Sequence, residues 1–314
     1  MKPTSWLFWL AISVLRAPSE CEGKTWAFLI AGSQGGLHAA HYRHEANVCH
    51  SYHILRNHGI PAEQIVLMMA DTVALNKEFV FVLQSKPIEI RTLANCSFNR
   101  PSGPNVYKGV RIDYRLHEAT SKTFMAVLQG DEEAVKGKGT GRVLKSGPSD
   151  HIFLYFTDHG SPGYVVLPTG NLYALDLNET LTSMHRAGKY QSLVIYLEAC
   201  HAGSMFENII SPSASSRSNE PSWAYYCMNK GKLAGVCLGD RYSISWMEDS
   251  DSHRSLNKET VKQQFDITKN RTEHRRTEVP APEPLVTYNS TMGAVDLCDQ
   301  RIAMHSKRFR AYRW

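Results

Sequence analysis

The run His151-Ile152-Phe153-Leu154-Tyr155-Phe156 breaks into Thr157-Asp158-His159-Gly160-Ser161, and a second run, Leu193-Val194-Ile195-Tyr196-Leu197, breaks into Glu198-Ala199-Cys200. Short continuous apolar runs, β-branched and aromatic and bounded by breakers, read as central strands buried on both faces. In an open α/β sheet the carboxyl ends of such strands face the ligand crevice. A histidine at one strand end and a cysteine at the next is the arrangement a thiolate nucleophile and its base need. By type alone these are ordinary residues, a small buried hydrophobe and a polar group. Their placement just past apolar strands, with Gly160 and Gly203 nearby to let a backbone approach, points to a cysteine hydrolase.

Outward from these strands the pattern is repetitive in kind. Trp26-Ala27-Phe28-Leu29-Ile30-Ala31-Gly32-Ser33 reads as a first buried strand ending in a loop, and Ile65–Met69 as a second. A helix is expected from His44 to His58, with Ala46, Cys49 and Ile54 on one side and Gly59 as its stop. Further helices are expected from Thr123 and over Asp176–Arg186, the latter with Leu177, Leu181 and Met184 on one face. Strands separated by helices predict an α/β fold with a mostly parallel sheet and helices on both faces.

Composition excludes several classes. A hydrophobic fraction of 42% and a charged fraction of 21% are those of a globular chain rather than a disordered one. The formal charge of +5 comes without a long basic block, so no nucleic-acid partner is expected. Residues 1–20 carry Lys2 and the apolar run Trp6–Leu15, too short to span a bilayer, and read as a secretory signal peptide. No other segment approaches membrane-spanning length. Seven cysteines leave at least one thiol unpaired, which a nucleophilic Cys200 accounts for. The sequons at Asn95, Asn178, Asn270 and Asn289 follow as glycosylation candidates on that route.

Ser146–Ser161, Leu193–Ser204 and Leu238–Ser250, with Tyr42–Asn47 and Asn105–Val110, resemble the legumain family of asparaginyl endopeptidases. The resemblance runs from Thr25 to Arg275, and it implies a caspase-like fold and a thiol protease acting in a lysosome, a vacuole or a gut lumen. It implies Cys200 as nucleophile, His159 as base, and the backbone N–H groups of Gly160 and Cys200 as oxyanion donors. An asparagine pocket needs both donor and acceptor. The resemblance supplies Arg43 for the amide oxygen and Glu198 and Asp240 for its nitrogen, with Ser222 and His44 as lining. Asp158 matches the acidic residue the family carries before its histidine; from chemistry alone it is equally a turn-former. Cys227 and Cys237 flank a short loop, and the resemblance suggests a disulfide there, with two free thiols as the alternative. No cofactor and no metal are implied. His38, His41 and His44 recur every third residue, but with no Cys or carboxylate to complete a set they read as a surface loop.

The chain departs from the family in four places. His41 stands where legumains carry an asparagine, after a lengthened loop Gly35–Ala40. The stretch between Met69 and Asn99 is about a dozen residues longer, a change that surface loops tolerate. Ser211-Pro212-Ser213 runs almost directly into Asn219-Glu220-Pro221-Ser222, so the strand the family places there is missing. The activation segment and helical prodomain are not found. A chain without one strand is expected to be weakened and catalytically impaired, and this is the main alternative to an active protease. A second alternative, the transamidase subunit that attaches glycolipid anchors, shares Tyr42–Asn47 but not Thr157–Ser161 or Trp246-Met247-Glu248-Asp249-Ser250-Asp251.

Three regions follow: a signal peptide at 1–20, a legumain-like domain at 24–275, and a linker with a foreign or disordered tail at 276–314. Glu278–Pro284 is proline-rich and extended. Beyond it, Tyr288–Gln300 resembles the piece of piggyBac-type transposases around their last catalytic carboxylate, here Asp296. Metal-dependent strand transfer needs several carboxylates, so this fragment alone is expected to be inert.

Overall fold

The computed structural model describes residues 23–32, 41–74, 97–101, 103–206, 222–228, 236–252, 259–274 and 290–296. Its centre is a six-stranded sheet in the order β11-β8-β4-β1-β2-β3. The strands are β1 (Thr25–Ala31), β2 (Ile65–Met69), β3 (Tyr114–Arg115), β4 (His151–Thr157), β8 (Ser192–Cys200) and β11 (Ser290–Asp296). All pair in parallel except β11, which runs antiparallel to β8. A small three-stranded sheet of β5 (Gly160–Ser161), β6 (Tyr164–Val166) and β7 (Asn171–Tyr173) follows β4. A two-stranded ribbon of β9 (Ala224–Cys227) and β10 (Cys237–Asp240) precedes the helix that closes one face.

The continuous apolar runs are explained by cover on both sides. Even positions of β1 and β4 (Phe28, Ile30, Ile152, Leu154, Phe156) and odd positions of β8 (Leu193, Ile195, Leu197) join one core. Helices α2 (Ser121–Gln129) and α3 (Ala174–Arg186) cap that face through Phe124, Val127, Leu177 and Met184. The opposite parity (Leu29, Phe153, Tyr155, Tyr196) packs under α1 (Tyr42–Asn57) and α4 (Arg241–Ser252). There Trp246 meets Tyr155 and Tyr196 edge-on, at 5.2 and 5.5 Å between ring centroids, the geometry that the ring quadrupole favours. Helix α5 (Val261–His274) lies against α4, and Gln264 accepts a hydrogen bond from the buried Tyr196 hydroxyl at 2.5 Å.

Element type agrees with the sequence expectations, and boundaries shift by one or two residues. β1 ends at Ala31 rather than Ser33, and α3 starts at Ala174. α1 starts at Tyr42, not His44. That small shift matters, because Arg43 and His44 then belong to a rigid helix over the sheet rather than to a loop. His41 and His44 correct the surface-loop reading: His41 is the N-cap of α1 and His44 is 1% exposed. His38 lies outside the described residues, as do Gly35–Ala40, the signal-peptide segment 1–20, Asn95 and Ser211–Asn219.

The outer edge of β8 is not bare. Ser290–Asp296 pairs with it over its whole length, from Ser290↔Cys200 to Asp296↔Val194. The segment expected to be a foreign tail therefore supplies the strand on that edge. A strand edge left without hydrogen-bond partners is costly when buried, and β8 is buried along all nine residues.

Candidate active site

The register of β4 and β8 builds the site. Thr157 lies opposite Glu198, and Asp158 N–H donates to the Glu198 carbonyl at 2.9 Å. Two residues further along each strand come His159 and Cys200. Gly160 continues past this point so close to β8 that a Cβ there would lie 2.3 Å from the Cys200 carbonyl oxygen. No other residue allows that approach, and it brings the Gly160 N–H to the Cys200 thiol as a hydrogen-bond donor. After Cys200 the chain turns sharply through His201, a non-glycine residue at φ 55°. Ser204 holds this turn, donating from N and Oγ to the His201 carbonyl at 2.8 and 2.6 Å and accepting from Gly163 N–H. A left-handed residue costs on the order of 1 kcal/mol and is kept only where its surroundings enforce it.

Burial sets the protonation of the pair. It pushes the Cys200 thiol up to about 11, against the opposing Gly160 N–H and Arg43. Burial also pulls His159 down to about 2, with repulsion from His44, Arg43 and His41 adding to it. Both shifts favour the neutral forms, a thiol at Cys200 and an imidazole at His159.

Above the strand ends α1 carries a polar cluster that is buried rather than exposed. Arg43 Nε donates to Asp240 Oδ1 at 2.6 Å, and Asn47 Nδ2 to Asp240 Oδ2 at 2.8 Å. His44 Nδ1 stands 3.1 Å from the same Oδ2 and 3.2 Å from Thr157 Oγ1. Arg43 and His44 offset the burial of Asp240 and hold its carboxyl below the usual range. Glu198, 1% exposed, accepts from Ser222 Oγ, from Ser243 N–H and from Ser243 Oγ. Burial, reinforced by Asp240, pushes it up to about 7. Asp158 is enclosed too, and burial raises its carboxyl well above the carboxylate range. Its side chain lies 3.4 Å from His44 Nε2 and 3.9 Å from His159 Nε2.

Of the residues singled out from the sequence, Arg43 and His44 contact Asp240, His44 and His159 approach Asp158, Ser222 donates to Glu198, and Gly160 N–H reaches Cys200. Cys227 and Cys237 are bonded between β9 and β10, while Cys49 and Cys200 are free thiols. Asn178 and Asn270 lie on α3 and α5, the latter exposed. The structure adds Asn47, Asn99, Thr157 and Ser243. Asn99 donates to Asn47 Oδ1 at 2.8 Å and to the Leu238 carbonyl at 2.9 Å, tying α1 to β10. Arg43, Asn47 and His50 follow i, i+4, i+7 spacing, a polar stripe that was available as a signal.

A parallel sheet that brings a histidine and a cysteine to neighbouring strand ends, beside a buried ionic pocket, defines a candidate thiol-dependent site. The chain belongs to the Peptidase C13 family, whose model matches residues 25–280. It is 44% identical to legumain of Rattus norvegicus over 258 residues, covering 81% of this chain and 55% of that protein. It is 43% identical to legumain of Homo sapiens, with the same two shares, over 256 residues. To the vacuolar-processing enzyme of Vicia sativa it is 44% identical over 264 residues, 81% of this chain and 50% of that protein. The chain spans about half the length of these relatives. Among solved structures, caspase-1 from Spodoptera frugiperda aligns at 9% identity and a TM-score of 0.46, over 88% of this chain and 86% of that chain.

Proposed function

We propose that this chain is a cysteine endopeptidase that cleaves peptide bonds after asparagine. The observation that carries the reading is the β4–β8 register, with Thr157 opposite Glu198 and His159 and Cys200 each following two residues on. In this reading Cys200 attacks the scissile carbonyl, and His159 takes the thiol proton and returns it to the leaving amine. The N–H groups of Gly160 and Cys200 stabilise the oxyanion. Arg43 donates to the asparagine amide oxygen while Asp240 fixes its direction, and Glu198 and Asp240 form the acceptor side, lined by His44 and Ser222. Asp158 sits behind the base. With Glu198 up at about 7, acid protonates the acceptor side first. Aspartate should then enter the same pocket at low pH.

The same reading takes protein or peptide substrates as partners and a lysosomal, vacuolar or extracellular site of action, reached through the segment 1–20. Among the described residues no helix is long and apolar enough to cross a membrane. Asn95, Asn178 and Asn270 would carry glycans on that route. The domain spans 24–275, and within the tail 276–314 the segment Ser290–Asp296, whatever its likeness to a transposase fragment, serves as a lent strand rather than a nucleic-acid catalyst. A thiol-reactive probe bearing an asparagine side chain should label Cys200. If an arginine or leucine probe labels it faster, the specificity is wrong.

The alternative of an impaired enzyme draws on His41, whose ring lies 5.5 Å from that of His159 where the family carries an asparagine.

A further inference from the structure

We propose that His41, His159 and Asp158 form a zinc-binding site across the mouth of the proposed catalytic pair, making the chain a metal-inhibited enzyme. One ligand atom from each of the three residues lies within 4.8 Å of the others. Two imidazoles and a carboxylate are a donor set that suits Zn²⁺, whose catalytic and inhibitory sites commonly have three protein ligands and one open position. In a tetrahedral site with bonds of about 2.0–2.2 Å the ligand atoms stand about 3.4 Å apart, so closure needs a shift of at most about 1.4 Å.

His41 is placed to make that shift. It is the N-cap of α1, its side chain makes no capping hydrogen bond, and it is only partly buried. Its ring meets the His159 ring edge-on.

The independent sign of a ligand is Asp158. Its side chain is fully enclosed, and among the described residues no side chain donates a hydrogen bond to it; only the His159 backbone N–H reaches the carboxylate. A buried carboxylate so thinly served is costly, and a cation on it would offset that cost. An imidazole that binds zinc through one ring nitrogen carries its proton on the other, so His159 could not then take the thiol proton, and binding and catalysis would exclude each other.

The inhibitory consequence rests on the protease reading; the metal site itself does not. Zinc alone should therefore be titrated calorimetrically into the full chain, its Cys200→Ser variant and its His41→Asn variant. One equivalent should bind to the parent and to Cys200→Ser with similar affinity, and His41→Asn should weaken it about 10-fold or more. In parallel, cleavage of an asparaginyl peptide should be inhibited by zinc and restored by chelator. His41→Asn, at whatever basal rate it has, should need at least about 10-fold more zinc for the same inhibition. Binding that survives His41→Asn unchanged, or that disappears in Cys200→Ser, would assign the metal to the thiol and overturn the site. A chain that binds zinc through His41 but cleaves nothing keeps the site and rejects the protease reading.

Discussion

Strand β8 has two neighbours of different origin. On its inner side β4 comes from 35 positions earlier, linked through β5–β7 and α3, and pairs in parallel in the manner of any crossover unit. On its outer side β11 comes from the other end of the chain, beyond α5 and a proline-rich stretch, and pairs antiparallel. The inner pairing sets the register of His159 and Cys200. The outer pairing sets no catalytic register, yet it covers the backbone of the strand that ends in Cys200. One partner positions chemistry and the other keeps its platform covered, so the two should separate under mutation.

Four tests bear on that separation. Cys200→Ser should reduce asparaginyl cleavage by roughly 10³-fold or more with little change in Tm, because the nucleophile is lost and the volume barely changes. Cleavage at the parent's rate would remove Cys200 from the chemistry. A chain stopped at residue 280 keeps the matched family region but loses β11. Its seven-residue strand makes backbone hydrogen bonds worth about 1 kcal/mol each. Destabilisation on the order of 5 kcal/mol is expected in denaturant unfolding, and equal midpoints would mean that β11 contributes nothing to the sheet.

Asp240→Asn leaves Arg43 and His44 buried without their anion. Breaking such a pair costs about 4 kcal/mol, and cleavage should fall with it in the full-length and shortened chains alike. A loss confined to one of them would tie the pocket to the outer edge.

Glu45 gives the smallest effect. It lies on α1, accepts from Thr72 and Val73 N–H at 3.0 and 2.9 Å, and is pushed by burial up to about 7. A carboxyl raised above its unfolded value of 4.5 binds its proton more tightly when folded. Its contribution is thus fully present below pH 4.5 and lost as pH rises through about 7. Between pH 5 and 8 the parent should lose roughly 2–3 kcal/mol relative to Glu45→Gln. Melting both at the two pH values measures it, and parallel curves would sink the assignment.

Much of the site was legible. Cys200 and His159 stand just past apolar runs, and Gly160 and Asp158 follow from their place beside the histidine. The pocket residues Arg43, Glu198, Ser222 and Asp240 were reached through resemblance, because no periodicity distinguishes a buried arginine from an exposed one. Asn47 and Asn99 were missed for a related reason. Each is one amide among many, and only the meeting of α1 with β10 makes them links between elements. His41 was read as loop because the helix start was placed at His44, and a shift of two residues turned it toward His159.

By itself the sequence determined the alternation of strands and helices, the burial of the sheet on both faces and the two strand ends that carry reactive side chains. Those features are local: apolar runs, breakers and helical periodicity are written over a few residues each. Only the tertiary structure decided which strand covers the outer edge of β8, and that Asp158 is enclosed beside His44 and His159. Both are settled by segments far apart in the chain. Strand pairing is a backbone interaction that reads little of the side chains, so no composition at Ser290–Asp296 announces its partner.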